Sequence, residues 1–254
     1  MVTRSVTRSV ALPAAYPVAG RSRPLFLRNL FSPAALFASG EKGAWFDPSD
    51  LATLFQDAAG TIPVTAAGQS VALILDKSGN GNHASQSATA RRPTLRQDTA
   101  GRHYLYLDGV DDFMQAALPG GSYMASALRM EKTGTTLHCA MTLSLSQNIN
   151  AVMRYHADLT KYRVGSGYDY APGEGLLVNG VVNGSFALNE THIVDSEWGG
   201  QSGPVDGVII GSNGGLSHFW GGRFYEMVIR GPAVTGDDAL LTRKYLAGIY
   251  GVAL

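Results

Sequence analysis

A chain of 254 residues is long enough for one large β domain or two small ones, and either would bury a real core. Hydrophobic residues at 45% exclude a disordered chain, and 31 glycines with only 16% charged residues argue against a helical bundle. A formal net charge of zero gives no basis for genome-scale nucleic-acid binding, no apolar run approaches the roughly 18 residues of a membrane span, and the single Cys139 excludes an internal disulfide or a cysteine zinc site.

Charge is nonetheless unevenly placed. Residues 1–40 carry Arg4, Arg8, Arg21, Arg23 and Arg28 and no acid, so the remainder of the chain has a net charge of −5. The same stretch holds the repeated Val-Thr-Arg-Ser at positions 2 and 6, and prolines 13, 17, 24 and 33. Its Arg- and Ser-rich composition is that of a transit peptide, without the apolar core of a secretory signal. Leu25, Phe26, Leu30, Phe31 and Phe37 are large apolar side chains in a segment too polar and proline-broken to form its own core. We therefore expect residues 1–40 to be an extended arm that buries these side chains against a partner subunit, the alternative being that they fold back onto the sandwich of the same chain.

Ser32-Pro33 ahead of a short alanine-rich run predicts a helix with a cap, a proline start and a stop at Gly40. Asp47-Pro48 predicts a second helix over 48–56, with Leu51, Leu54 and Phe55 on one face. Strands are then expected at 70–75, 103–107, 113–117, 135–145, 151–156, 161–164, 176–182, 191–195, 205–211 and 223–230. Short β-rich runs there are separated by Gly, Asn, Asp or Pro. Asn179-Gly180 and Asn183-Gly184 are hairpin-closing dipeptides. Cys139 and Trp220 fall in such runs and are read as core. The last element is a helix capped by Thr235 and stopped by Gly251, with Leu241, Tyr245 and Ile249 as its buried stripe. About ten strands without intervening helices imply an all-β, two-sheet antiparallel sandwich with an N-terminal arm (1–40) and a C-terminal helix closing domain 41–254.

Two stretches carry a resemblance. Asp76-Lys-Ser-Gly-Asn-Gly-Asn-His-Ala84 with Arg92-Pro93, and Tyr106-Leu-Asp-Gly-Val-Asp-Asp-Phe113, resemble the concanavalin A-like, laminin-G-like jelly-roll family. The run from Gly222 to Arg230 followed by a capped helix is similar to that family's last strand and closing element. The segment Gly43-Ala-Trp-Phe-Asp-Pro-Ser-Asp50 and onward to Asp57 is similar to segments that precede such sandwiches in tailed-bacteriophage virion proteins. The resemblance implies a jelly roll in which the 76–82 and 108–112 loops meet, and a place in a phage particle.

Chemistry in these motifs is thin. Asp76, Ser78, Asn80 and Gly81 mimic the first half of a calcium loop, but position 12 is Ser87 instead of a bidentate Glu. Asp76, Asn80, Asp108 and Asp111 are the candidate calcium ligands, set against a purely structural turn network. Glycoside hydrolysis needs paired carboxylates, and the acids near strands are isolated in sequence. G-x-S-x-G, H-E-x-x-H and phosphate-loop motifs do not occur, and the six histidines have no metal-like spacing. Tyr168, Asp169, Tyr170 and Trp198 mix aromatic and polar groups in loops, as glycan sites and protein interfaces both do. The expectation is a non-enzymatic structural component of a phage particle, tail-associated or capsid-decorating. It would attach to other virion proteins through its arm as an oligomer, without cofactor, nucleic acid or membrane. The alternatives are a carbohydrate-binding module for host surface glycans and, further off, a glycoside hydrolase.

Overall fold

The computed structural model describes residues 31–118, 120–131, 138–142, 152–155, 162–163, 176–182, 184–197, 206–213, 218–231 and 235–254, and the fold is that of these residues. Tyr168, Asp169, Tyr170, Trp198, Leu25, Phe26 and Leu30 lie outside them. Sixteen strands are described, with one α-helix. They are β1 (Gly43–Phe46), β2 (Leu54–Phe55), β3 (Leu73–Ile74), β4 (Ala84–Ser85), β5 (Thr94–Gln97), β6 (His103–Asp108), β7 (Met114–Ala117) and β8 (Tyr123–Met130) in the first half. The second half contributes β9 (His138–Thr142), β10 (Val152–Tyr155), β11 (Tyr162–Arg163), β12 (Leu176–Val178), β13 (Val181–Val182), β14 (Thr191–Glu197), β15 (Gly207–Ile210), β16 (Gly221–Arg230) and α1 (Gly236–Tyr250).

Every strand pair is antiparallel. One sheet runs β13-β12-β14-β8-β16-β6-β5, and the other β11-β10-β9-β15-β7-β4-β3-β2. The ten-residue β16 is the spine of the first sheet. It pairs with β8 on one edge, and divides its other edge between β6 and β1. Leu105, Leu107, Leu128, Phe224, Met227 and Ile229 from this sheet meet Ile74, Met114, Met141, Val208 and Ile210 from the other in one apolar core. The chain is thus an all-β two-sheet antiparallel sandwich. Cys139 and Trp220 are buried in it, as expected.

Hairpin chemistry works as read at Asn179-Gly180. Both residues have positive φ (52° and 78°), which turns β12 into β13 with Val178 opposite Val181. Strands β1, β2, β4, β5 and β8 lie outside the runs expected as strands. The run Tyr-Met-Ala-Ser-Ala-Leu-Arg-Met of β8 lacks alternation because both faces are covered, one by the second sheet and one by α1.

Three expectations are corrected. The predicted helix over 48–56 is a single 3-10 turn, Leu51–Thr53, after which Leu54 and Phe55 form β2 against β3. Leu54 is needed between the sheets, and that burial outweighs the helical pattern. Asp47 and Asp50 do not cap a helix but flank the Lys77 ammonium at 2.8 and 2.9 Å. In α1 the caps are as expected, with Thr235 accepting from the Asp238 amide and Gly251 in the left-handed conformation. Its buried face, however, is Ala239, Thr242, Leu246, Ala247 and Tyr250, while Leu241 and Ile249 are 42% and 50% exposed. Two polar anchors set that rotation: Arg243 grips Asp195 of β14 through two bonds (2.8 and 2.6 Å), and the Tyr250 hydroxyl reaches Glu226 of β16. Finally, the last ten residues of the expected arm belong to the sandwich. A 3-10 helix, Pro33–Phe37, capped by Ser32, lays Leu36 (3% exposed) and Phe37 (7%) on Trp45 and Val228. Phe31 stands edge-on to Tyr245 at 6.2 Å. Phe31 and Phe37 are therefore bound by their own chain instead of a partner.

Candidate functional site

The outer face of the first sheet carries the most unusual chemistry. Strand β16 alternates Phe224, Met227 and Ile229 inward, but its register shifts between Phe224 and Glu226. This bulge places two successive residues, Tyr225 and Glu226, on the face under α1. Glu226 is 1% exposed. Its Oε1 accepts from Trp45 Nε1 at 2.8 Å and its Oε2 from the Tyr250 hydroxyl at 2.9 Å. It therefore ties together β1, β16 and the helix.

Burial pushes the Glu226 carboxyl up to about 7, and Asp47 adds to the shift. The hydrogen bonds from Trp45 and Tyr250 and the charge of Lys77 act against it. Tyr245 and Tyr250 lie against the same carboxyl, and both phenols are raised, first by burial and then by the negative charges of Glu226 and Asp47. Burial alone would lower the Lys77 ammonium. Its bonds to Asp47 and Asp50 outweigh that and hold it raised, and it sits 4.4 Å from the centroid of the Trp45 ring. A near-neutral carboxyl beside tyrosines is the composition of many catalytic sites. Here, with Glu226 sealed under the helix, the group works as a junction between elements.

The 76–82 loop is a second junction. Asp76 Oδ1 accepts from the amides of Trp45 (2.9 Å) and Ser78 (2.8 Å), and Oδ2 from the Ser78 hydroxyl (2.8 Å) and the Asn82 amide (3.0 Å). Four donors fill the acceptor capacity of one carboxylate. Asn80 Nδ2 donates to the carbonyl of Glu41 and Asn82 Nδ2 to that of Gly43. The loop thus clamps the start of β1, where Gly43 has φ +146° and a Cβ would meet the Ile229 carbonyl oxygen. Only glycine lets β1 close on β16 there.

Of the four expected calcium ligands, the structure brings Asp108 and Asp111 together and adds Asp112. One oxygen from each lies within 4.8 Å of the others. Asp76 is not in that group. The trio is the place among the described residues where an oxygen-ligated cation would fit. Part of its capacity is spent on the turn: Asp108 Oδ1 accepts from the amides of Val110 and Asp111, and Asp112 Oδ2 from the Asp108 amide. His192 is likewise structural. Burial lowers its pKa, its Nε2 accepts from the Ala187 amide, and Phe186 packs 4.2 Å from its ring.

Sequence reasoning missed Glu226, Trp45, Tyr250 and Lys77 as a group. The available signal was a lone acid in the middle of an apolar strand, Phe-Tyr-Glu-Met-Val-Ile, which requires buried donors.

No protein-family model matches the sequence, and no curated protein does. Among solved structures, the chain is similar to Trypanosoma rangeli sialidase in complex with the inhibitor DANA, at 11% identity and a TM-score of 0.45. The match covers 78% of this chain and 36% of that one, so this chain spans little more than a third of the length of the sialidase.

Proposed function

We propose that this protein is a non-enzymatic structural module of a tailed-bacteriophage particle, attached to neighbouring virion proteins through residues 1–30. The observation that carries this reading is how the polar groups suited to chemistry are used. Asp195 and Glu226 have both carboxylate oxygens engaged in joining one segment of the sandwich to another, and Asp76 joins its loop to β1 through Oδ1 while Oδ2 closes the loop itself. They support rigidity where β1 joins the edge of β16 and where α1 lies on the outer face of the same sheet. The resemblance of residues 43–57 to segments found ahead of sandwiches in phage virion proteins supports the setting, although here these residues supply β1 and β2 of the sandwich itself. The segment 1–30 supports attachment: five arginines, no acid, and Leu25, Phe26 and Leu30 close to its end. Its arginines pair with acidic groups on the partner and its apolar side chains bury there.

Particles assembled with full-length chain and with residues 1–30 deleted test the reading. The account expects the deleted protein to be soluble and folded but missing from purified particles. A deleted protein incorporated as well as the full chain would overturn attachment through this segment.

A further inference from the structure

One row of the first sheet's outer face is left partly open by the helix. Tyr104, Tyr225, Ala127 and Ile193 lie under α1. Two residues along each of those strands, the register lines up Tyr106, Arg223, Arg129 and Thr191, and β5 adds Thr94 opposite Tyr106. All five are half-buried. The row crosses five strands, a span of about 19 Å at ~4.8 Å per strand.

Its charge is not what folding alone would select. Arg223 and Arg129 stand directly opposite each other, a like-charge pair that weakens a sheet. A single acid serves both: Glu131 lies 2.6 Å from Arg223 Nε and 3.2 Å from Arg129 Nε, and the latter nitrogen is buried without a hydrogen bond of good geometry. Exposed Arg96 lies over the ring of Tyr106, 3.6 Å from its centroid, and Arg223 over that of Tyr104 at 4.6 Å. Asp98, the other acid nearby, is taken by Arg102 at 2.9 Å. Arg223 is engaged in part, donating through Nε to Glu131 and through Nη1 to the Tyr225 hydroxyl at 3.2 Å, so exposed Arg96 over Tyr106 offers the fuller guanidinium edge for planar oxyanions. Asp108 follows Tyr106 on the same face of β6, so negative charge bounds the row on that side.

We propose that this row binds an acidic polysaccharide. Its carboxylates or sulfates pair with Arg96, Arg129 and Arg223, and its hydroxyls bond Thr94, Tyr106 and Thr191. A polymer rich in hydroxyls fits because hydroxyl side chains alternate with guanidiniums along the row. An acidic peptide fits less well: the row crosses the strands instead of following a sheet edge, so no backbone ladder is offered, and it carries no aliphatic side chain for an anchor residue to bury against. The surface is a glycan contact additional to the structural role, and it is tested without any particle.

The test uses the full chain with polygalacturonate, chondroitin sulfate, neutral dextran and poly-glutamate as probes, by calorimetry at low and at high salt. Binding of both acidic polysaccharides, weakened by salt and absent for dextran, is expected. Arg96→Gln with Arg129→Gln should weaken it at least about tenfold, the ~1.4 kcal/mol of one or two charge-assisted hydrogen bonds, while Lys244→Gln on the exposed side of α1 changes nothing. Arg96→Gln alone, an exposed site, gives the same direction should the double variant misfold. Failure of both acidic polysaccharides to bind, binding undiminished in the variants, or poly-glutamate binding as tightly would each overturn the proposal.

Discussion

At Glu226 a single side chain links the pH of the solution to the fastening of two elements. Its carboxyl titrates near 7 in the folded chain, where the unfolded value is 4.5. Between those values the folded state holds a proton that the unfolded state has lost. Its favourable contribution is therefore complete below about pH 4.5 and disappears as pH rises through 7, a change of about 3 kcal/mol by linkage. Glu226→Gln keeps an acceptor for Trp45 and a donor for Tyr250 without the buried charge. Thermal melts should show it near wild type at pH 5, more stable by about 1–3 kcal/mol at pH 8, and flatter between. An unchanged pH profile would mean that Glu226 does not titrate there. Asp76 is a junction of another kind, accepting four hydrogen bonds from Trp45, Ser78 and Asn82. Asp76→Ala should cost about 3–5 kcal/mol in denaturant unfolding, with added calcium giving no rescue.

At the scale of elements, α1 shows why an apolar stripe is not always a buried one. Leu241, Tyr245 and Ile249 recur with helical spacing, yet the helix turns Ala239, Leu246 and Ala247 to the sheet. Small Ala125 and Ala127 on β8 let it approach closely, and Arg243 and Tyr250 find charged partners only in that rotation. Capping was legible because it depends on residues adjacent in sequence. Rotation was not, because Asp195 and Glu226 come from distant strands. Leu241→Asp should therefore be tolerated within about 0.5 kcal/mol, whereas Leu246→Asp, fully buried, should cost upwards of about 4 kcal/mol. Equal losses in the two melts would mean that the helix is turned the other way.

At the scale of the molecule, the sandwich was legible because short strands and turn dipeptides recur without helices between them. The pairing order was not, since it depends on long-range contacts such as β1 and β6 sharing one edge of β16. The end of the arm was misread for the same reason: Leu36 and Phe37 look like spare apolar groups until β1 and β16 offer Trp45 and Val228. Removing residues 1–30 should leave the melting temperature near that of the full chain. Removing residues 1–40 also strips the cover from Trp45 and Val228, and should cost several kcal/mol, about 1.5–3 for each of Leu36 and Phe37.

The central claim, a proposed structural place in a phage particle, is tested most directly by an electron cryomicroscopy map of purified phage particles assembled in the presence of this chain. The account predicts density for the two-sheet sandwich with its closing helix at symmetry-related positions, continuous through residues 1–30 with a neighbouring virion protein. Particles that are complete and infectious without density or mass for this chain would contradict it.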